Sequence, residues 1–183
     1  PAWALDLSQA PPGTVQPYVR PNVIISIDDS GSMGYRLDSE SRSEVDSRTE
    51  PDLPNGGWSA NSKRINVLKY ALKSIFDPTH AQYDNTLLPD DKIRLAWQVM
   101  HDNGNSNAKS VDSGDNPSSL NTNSMLPFAG AHRTNFLSFV NGLSANGGTP
   151  SHLMFSQADA YMRRPLSKNG PWSGNPGGTD KAA

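Results

Sequence analysis

The sequence predicts an α/β fold with a mostly parallel sheet and flanking helices, because short apolar runs alternate with an amphipathic stripe. An unbroken apolar run over 22–27 predicts a buried strand, and residues 62–76 follow it with apolar positions three or four apart. A second strand is predicted over 92–100. Strand, helix and strand in this order are typical of a parallel sheet that is covered by helices.

Each of these three elements has its own signal. The first strand lacks alternation, so we expect it to be covered on both faces. The helical stripe ends at Asp77-Pro78 and is formed by Ile65, Leu68, Leu72, Ile75 and Phe76. The second strand alternates, with Arg94 and Gln98 on one face and an apolar opposite face of Ile93, Leu95, Trp97 and Val99.

Three shorter elements are predicted after the polar segment 101–123. Residues 124–128 suggest an edge strand, because Pro127 cannot donate a ladder hydrogen bond. A helix is predicted over 134–143, with an inward face of Phe136, Phe139, Val140 and Leu143. A last helix is predicted to run to about Arg164, with Thr149 as its N-cap and Pro150 at its first position.

The domain organisation is predicted from composition. Residues 1–20 are rich in proline and glutamine and suggest an extended lead-in, so the domain is assigned to 21–183. Polar insertions interrupt it at 34–61 and 101–123. The strands are too few for a doubly wound sheet, and we therefore expect the domain to be truncated before its last strands.

The composition of the chain excludes several classes of function. The chain has 183 residues, 34% of them hydrophobic, and a formal net charge of -2, so bulk charge predicts no binding to nucleic acid. There is no cysteine, which excludes disulfides, thiolate zinc sites and a cysteine nucleophile within this chain. No apolar run approaches the roughly 20 residues of a membrane span.

A group of oxygen donors follows the first strand directly. Asp28, Ser30 and Ser32 are spaced by two in the run Asp-Asp-Ser-Gly-Ser, and Gly31 permits a tight turn between the serines. Carboxylate and hydroxyl oxygens suit a hard divalent cation such as Mg²⁺. One loop cannot fill six coordination positions, so Thr149 in the Gly-Gly-Thr-Pro segment is the candidate ligand from a second loop. Alone, either segment could be an ordinary turn or helix cap; together they favour a metal site.

Asp29 suggests a competing function. Asp29-Ser30-Gly31 also matches the signature of aspartic proteases, which need two aspartates that share a proton. The chain has one such signature, and its helical stripes disagree with an all-β protease. We therefore expect Asp29 to support the loop from behind or to face solvent, and a hydrolase is the weakest of the alternatives.

The histidines and two of the tryptophans are predicted to have structural roles. No metal-ligand spacing relates the histidines, and surface or packing roles are predicted for His80, His101, His132 and His152. Trp58 and Trp172 lie in glycine-rich segments, and each is expected to fold back onto the body of the domain.

The string Ile-Ser-Ile-Asp-Asp-Ser-Gly-Ser-Met, followed by Asn-Gly-Gly-Thr-Pro, resembles a bacterial von Willebrand factor type A domain, which has a Rossmann-like α/β fold. The resemblance implies a metal-ion-dependent adhesion site that binds Mg²⁺, or else Mn²⁺ or Ca²⁺. Its metal ligands here would be Asp28, Ser30, Ser32 and Thr149. The family's later aspartate, which ends an apolar strand, has no good match, since Thr179-Asp180 follows no such strand.

A narrower resemblance extends over residues 21–164. Pro21-Asn22-Val23, the polar insertions and the segment Leu143 to Pro150 resemble the amino-terminal region of PilC/PilY-type adhesins of type IV pilus tips. This implies an extracellular, non-enzymatic binding module at the cell surface or pilus tip of a Gram-negative bacterium. Its partners would be a protein ligand or surface receptor and minor pilins or other tip components. The alternative is a structural or assembly domain that needs no metal.

Overall fold

A computed structural model of the chain describes residues 20–52, 57–101 and 123–163. Residues 1–19 of the lead-in, most of the second insertion, Trp172 and Thr179-Asp180 lie outside these ranges. The elements agree with the predicted α/β class and are β1 (Asn22–Ile27), α1 (Arg64–Phe76), β2 (Arg94–Val99), β3 (Leu126–Pro127), α2 (Gly130–Gly142) and α3 (Ser151–Met162). None of the helices in these ranges is long and apolar enough to cross a membrane.

The sheet is mixed, whereas the sequence predicted a mostly parallel one. Its strand order is β1-β2-β3. β1 and β2 are parallel and in register from the pair Asn22 and Arg94 to the pair Ile27 and Val99. β3 is antiparallel to β2 through Leu126 and Pro127, which lie at the edge as predicted. The carboxyl ends of β1 and β2 therefore meet at one edge of the sheet.

β2 is central and buried on both faces, so its predicted polar face is not exposed. The side-chain amide of Gln98 donates to the Ser26 hydroxyl and to the Met154 carbonyl, both at 2.8 Å. Arg94 donates to the Met125 carbonyl at 3.1 Å. These polar groups are tolerated inside because their hydrogen bonds join β2 to β1 and α3.

β1 is less covered than the sequence predicted. Only Ile27 is buried, and the other residues of β1 are half-buried. β1 lies at the edge of the described sheet. The buried end of the strand is the end that leads into the Asp28 loop.

The core lies between the sheet and the helices α1 and α2. Trp97 packs 5.2 Å from Phe136 and 5.7 Å from Phe139, measured between ring centroids. α1 ends before Asp77 as predicted, but it begins two residues late and leaves Ile75 53% exposed. Ile75 is wrong as a core residue because the buried stripe passes through its neighbour Phe76 instead.

α2 begins four residues earlier than predicted. Its extra turn brings His132 and Arg133 into the interior, where they are 6% and 5% exposed. The His132 Nε2 atom lies 2.6 Å from the Leu95 carbonyl oxygen, while Nδ1 has no hydrogen-bond partner among the described residues. The neutral ring therefore suits this position, with Nε2 as the donor.

His132 is expected to make stability depend on pH. Burial lowers the pKa of His132 below its ordinary value of 6.5, although the Leu95 hydrogen bond opposes this. Below pH 6.5 the unfolded chain binds a proton that the folded chain resists, so the free energy of unfolding falls with decreasing pH. The slope is at most about 1.4 kcal/mol per pH unit.

Urea unfolding between pH 8 and pH 5 tests this expectation. His132→Gln should flatten the pH dependence, because glutamine can donate to the Leu95 carbonyl but does not titrate. His152→Gln is the matched control, since His152 is exposed. Equal pH slopes for the wild type and His132→Gln would contradict the assignment.

Candidate metal centre

The candidate metal loop begins where β1 ends. Asp28 Oδ1 accepts a hydrogen bond from the Ser30 amide at 2.8 Å, which bends the chain back on itself. A 3-10 turn over Gly31–Gly34 follows. The Ser30 and Ser32 hydroxyl oxygens then lie 3.1 Å apart, with Ser30 buried and Asp28 half-buried. The local sequence therefore brings its two hydroxyls together beside a carboxylate.

This spacing of the hydroxyls fits a small divalent cation. Two oxygens that each lie about 2.1 Å from Mg²⁺, at a right angle, are about 3.0 Å from each other. The observed 3.1 Å agrees with that value. Ca²⁺ often takes seven ligands with smaller angles between them, so its longer metal–oxygen distances give a similar separation of neighbouring oxygens. The 3.1 Å is also the length of a hydrogen bond between the two hydroxyls, so this spacing fits an ion without distinguishing Mg²⁺ from Ca²⁺.

The predicted metal ligands carry little negative charge. Within the described ranges no cluster of three or more histidine, cysteine, aspartate or glutamate residues could hold a metal ion. Of the predicted ligands only Asp28 is a carboxylate. Waters and an incoming ligand would therefore have to supply much of the six-oxygen shell that Mg²⁺ requires.

The loop over 146–149 lies beside the candidate metal loop. The Gly31 amide donates to the Gly147 carbonyl at 3.0 Å, and the Asn146 amide donates to the Asp29 carbonyl at 2.9 Å. These two hydrogen bonds join segments that are more than a hundred residues apart in the sequence. The structure thus brings together the two loops that the sequence analysis paired, while their role as metal ligands stays a prediction.

Thr149 does not cap α3 as predicted. α3 begins at Ser151, and Pro150 occupies the N-cap position with φ -79° and ψ 55°. The Ser151 amide bonds to the Thr149 carbonyl at 2.8 Å, which makes an inverse γ-turn around the proline. Among the described residues the Thr149 hydroxyl has no hydrogen-bond partner, and the residue is exposed. Its hydroxyl therefore remains available to a ligand or an ion.

Gly147 needs to be glycine for two reasons. Its φ of +80° lies in the left-handed region, which residues other than glycine adopt only at an energetic cost. A Cβ atom there would also lie 2.9 Å from the His101 ring. That ring reaches across the loop, with Nε2 2.7 Å from the Gly148 carbonyl oxygen. The glycine turn and the histidine therefore fit each other closely.

Asp29 supports the loops from behind and does not face solvent. It is 1% exposed, and its Oδ1 accepts a hydrogen bond from the His101 amide at 2.8 Å. Its carbonyl accepts the bond from Asn146 described above. A buried carboxylate held in this way cannot reach a protein substrate, so the aspartic protease interpretation has no geometric support.

Two residues of this region were not identified from the sequence. His101 follows β2 directly, and its position at the carboxyl end of a strand parallel to β1 was a signal that could have found it. Arg42 comes from the first insertion, and its guanidinium contacts the Gly31 carbonyl. No local pattern in the sequence predicts the contact between Arg42 and Gly31.

The first insertion, residues 34–61, packs against the body of the domain. Isolated bridge pairs tie it to the start of α1 and to itself, namely Arg36 with Lys63, Asp46 with Ser62 and Asp52 with Gly57. Trp58 packs edge-on against Tyr70 of α1, with ring centroids 5.6 Å apart, which agrees with its predicted packing role. The insertion therefore adds a wall beside the candidate metal loop.

A stretch of 108 residues, 59% of the chain, is 31% identical to the type IV pilus biogenesis factor PilY1 of Pseudomonas aeruginosa strain PAO1. The chain is similar to PilY1. The PilY1 of strain PAK is 29% identical over the same share of the chain. The chain spans 9% of the length of either PilY1 protein. No protein-family model matches it, and no solved structure does. The PilY1 matches support the predicted PilY-type relationship, and the type A domain stays a prediction.

Proposed function

We propose that this chain is an adhesion or binding module of a type IV pilus-associated protein, and that it engages a ligand carboxylate through Mg²⁺. The similarity to PilY1, a protein named as a pilus biogenesis factor, supports the association with pili. The metal-dependent part rests on one observation above all: the Ser30 and Ser32 hydroxyls lie 3.1 Å apart beside Asp28.

The proposal gives each residue a defined task. Asp28, Ser30, Ser32 and Thr149 would hold the ion, and the buried Asp29 keeps the two loops together. When bound, the ion supplies a positive charge with an open position for a carboxylate oxygen. Ligand partners would be a surface receptor or another component of the pilus tip, outside the cell. No step of this scheme is catalytic.

Cation titration of the 183-residue chain tests the proposal. We expect Mg²⁺ to raise the free energy of unfolding, by about 2.7 kcal/mol at a concentration one hundred times its Kd, and a chelator to reverse this. Mn²⁺ and Ca²⁺ are titrated in parallel, so that the affinities of the three ions are compared directly. Calorimetry gives the affinities directly.

A matched control exists in the same chain. The Ser41 and Ser43 hydroxyls are also spaced by two and lie 2.7 Å apart, but no carboxylate of the candidate loop accompanies them. Ser43→Ala should leave Mg²⁺ binding unchanged. Equal unfolding with Mg²⁺ and with chelator in the wild type would contradict the metal-dependent proposal.

The second candidate function is a structural or assembly domain of the pilus tip that needs no metal. The low charge of the donor set favours it, since Asp28 is the only carboxylate among the predicted ligands. In that case ligand binding would be the same in Mg²⁺ and in chelator, and substitutions on the surface of the first insertion would weaken it instead.

A further inference from the structure

A cleft with basic side chains lies next to the candidate metal loop. It has a volume of about 360 Å³ and separates the first insertion from the start of α1 and from the loop after α2. Its lining includes Arg42 and Lys63 and the apolar side chains of Ile65, Leu143 and Ala145. We call this feature the basic cleft. Its volume lies at the lower end of the range for ligand pockets.

The cations at the basic cleft lack internal counterions. Most arginines of the described chain pair with an aspartate, as seen for Arg20, Arg36, Arg48, Arg133 and Arg163. Among the same residues, Arg42, Lys63 and the neighbouring Arg64 form no ion pair with a carboxylate. Arg42 contacts the Gly31 carbonyl, and Arg64 donates to the Arg36 carbonyl at 2.9 Å. Neutral carbonyls leave these positive charges uncompensated.

The two guanidinium groups are held in place by an aromatic ring. The Cζ atoms of Arg42 and Arg64 lie 5.1 Å and 6.0 Å from the centre of the Tyr35 ring. Guanidinium groups that stack on an aromatic ring lose little further freedom when they bind a carboxylate. The site is therefore partly organised before any ligand arrives.

The partial positive charge at the amino terminus of α1 adds to the positive charge of these side chains. α1 begins at Arg64 with Lys63 as its N-cap and has no acidic residue in its first turn. The amino terminus of a helix is the end where acidic residues are normally stabilising and basic residues are not. Two cations at this end raise the energy of the free protein, and an anionic ligand would lower it.

We propose that the basic cleft binds an acidic segment of the protein ligand. Arg42 and Lys63 would take a carboxylate close in sequence to the one at the ion, and the apolar wall of Ile65 and Leu143 would take an intervening apolar side chain. The position of the first carboxylate rests on the proposed function. Arg42 connects the two sites, since it contacts the carbonyl of Gly31, which lies between Ser30 and Ser32.

The test uses a fluorescent peptide, Gly-Asp-Leu-Glu-Asp-Gly, and a neutral counterpart with Asn and Gln in place of the acids. In Mg²⁺ we expect the acidic peptide to bind and the neutral one not to bind. The double variant Arg42→Gln with Lys63→Gln should raise the Kd of the acidic peptide about tenfold. The difference between wild type and variant should shrink as salt increases, because the lost contacts are electrostatic.

The control carries the same change in charge elsewhere. Arg20→Gln with Arg163→Gln removes two cations outside the basic cleft and should leave peptide binding within twofold. The single variant Lys63→Gln separates the cleft from the metal loop, because Lys63 lines the cleft and has no hydrogen bond or ion pair to residues 28–34 in the described ranges. It should weaken binding of the acidic peptide and keep its Mg²⁺ affinity in calorimetry with Mg²⁺ alone. Thermal unfolding confirms that both double variants are folded.

The outcomes distinguish the two proposals. If acidic peptide binds equally in Mg²⁺ and in chelator, but the cleft variant loses it, the basic cleft stands and the metal-dependent function fails. If the cleft variant binds the acidic peptide as tightly as wild type, the inference is overturned. Binding of heparin in place of the peptide would also overturn it, because the occupant would then be a polysaccharide.

Discussion

Asp28→Ala is expected to weaken Mg²⁺ binding by about 100-fold or more, while the domain stays folded. Asp28 supplies the only negative charge among the predicted ligands, and loss of groups that merely orient metal ligands already costs about 10–100-fold. Its carboxylate also accepts the Ser30 amide at 2.8 Å, so the substitution removes a bond that shapes the loop. Calorimetric titration measures the affinity, and circular dichroism with thermal unfolding measures the fold.

Asp28→Asn separates the charge of Asp28 from its effect on loop shape. The asparagine side-chain oxygen can still accept the Ser30 amide, so this variant keeps the bend but loses the negative charge. We expect Asp28→Asn to lose nearly as much Mg²⁺ affinity as Asp28→Ala, but to unfold at the wild-type temperature. Wild-type Mg²⁺ affinity in Asp28→Ala would refute the metal assignment.

Ser30→Ala tests the hydroxyl pair within the same experiment. Ser30 is fully buried, and its oxygen lies 3.1 Å from that of Ser32. Loss of one neutral ligand should weaken Mg²⁺ binding less than loss of Asp28, by roughly tenfold. If both Ser30→Ala and Ser32→Ala bound Mg²⁺ as tightly as wild type, the spacing of the hydroxyls would have no relation to an ion.

The elements that the sequence identified best are those with local causes. β1 has the bounds that its apolar run predicted, and α1 ends before Asp77-Pro78, where proline removes a backbone donor. The inward face of α2 was also correct, since Phe136, Phe139 and Val140 are buried. In each case the deciding interactions involve residues close in sequence.

Two errors of the sequence-based prediction, at Gln98 and at Thr149, have different causes. Gln98 was assigned to a polar face, but it is buried because Ser26 and Met154 satisfy its amide. Thr149 was assigned as a helix cap, but a γ-turn at Pro150 displaces it from that position. The partners of Gln98 are set by sheet register and by the position of α3, so spacing along the chain does not reveal them. The γ-turn is local, but it depends on the ψ of 55° at Pro150, which residue types alone do not specify.

The candidate site has one part that is local in sequence and one part that is built from distant segments. The Asp28, Ser30 and Ser32 pattern is local and was visible in the sequence. The structural support of the pattern is not local, since His101 lies 72 residues from Asp29 along the chain. Parallel pairing of β1 and β2 brings these two residues to one edge of the sheet. The predicted ligands were therefore visible in the sequence, while the contacts that hold their loop in shape were not.

Asp29→Ala is expected to lower the free energy of unfolding by about 3 kcal/mol. The buried carboxylate accepts the His101 amide at 2.8 Å, and hydrogen bonds to charged groups contribute about 1.5–3 kcal/mol each. Alanine would also leave that amide unsatisfied away from water, at a site where Asp29 is only 1% exposed. Urea denaturation at pH 7 measures the change.

Asp29→Asn gives the sharper comparison. An asparagine oxygen can still accept the His101 amide, so we expect a smaller loss, of about 1–2 kcal/mol. Asp52→Ala is the matched control, because Asp52 is exposed and lies 3.8 Å from Arg48 in a weak surface pair. A wild-type urea midpoint for Asp29→Ala would contradict the role of Asp29. Alanine at position 29 keeps the backbone carbonyl that accepts the Asn146 amide, so the measured loss reports on the side-chain bond to His101.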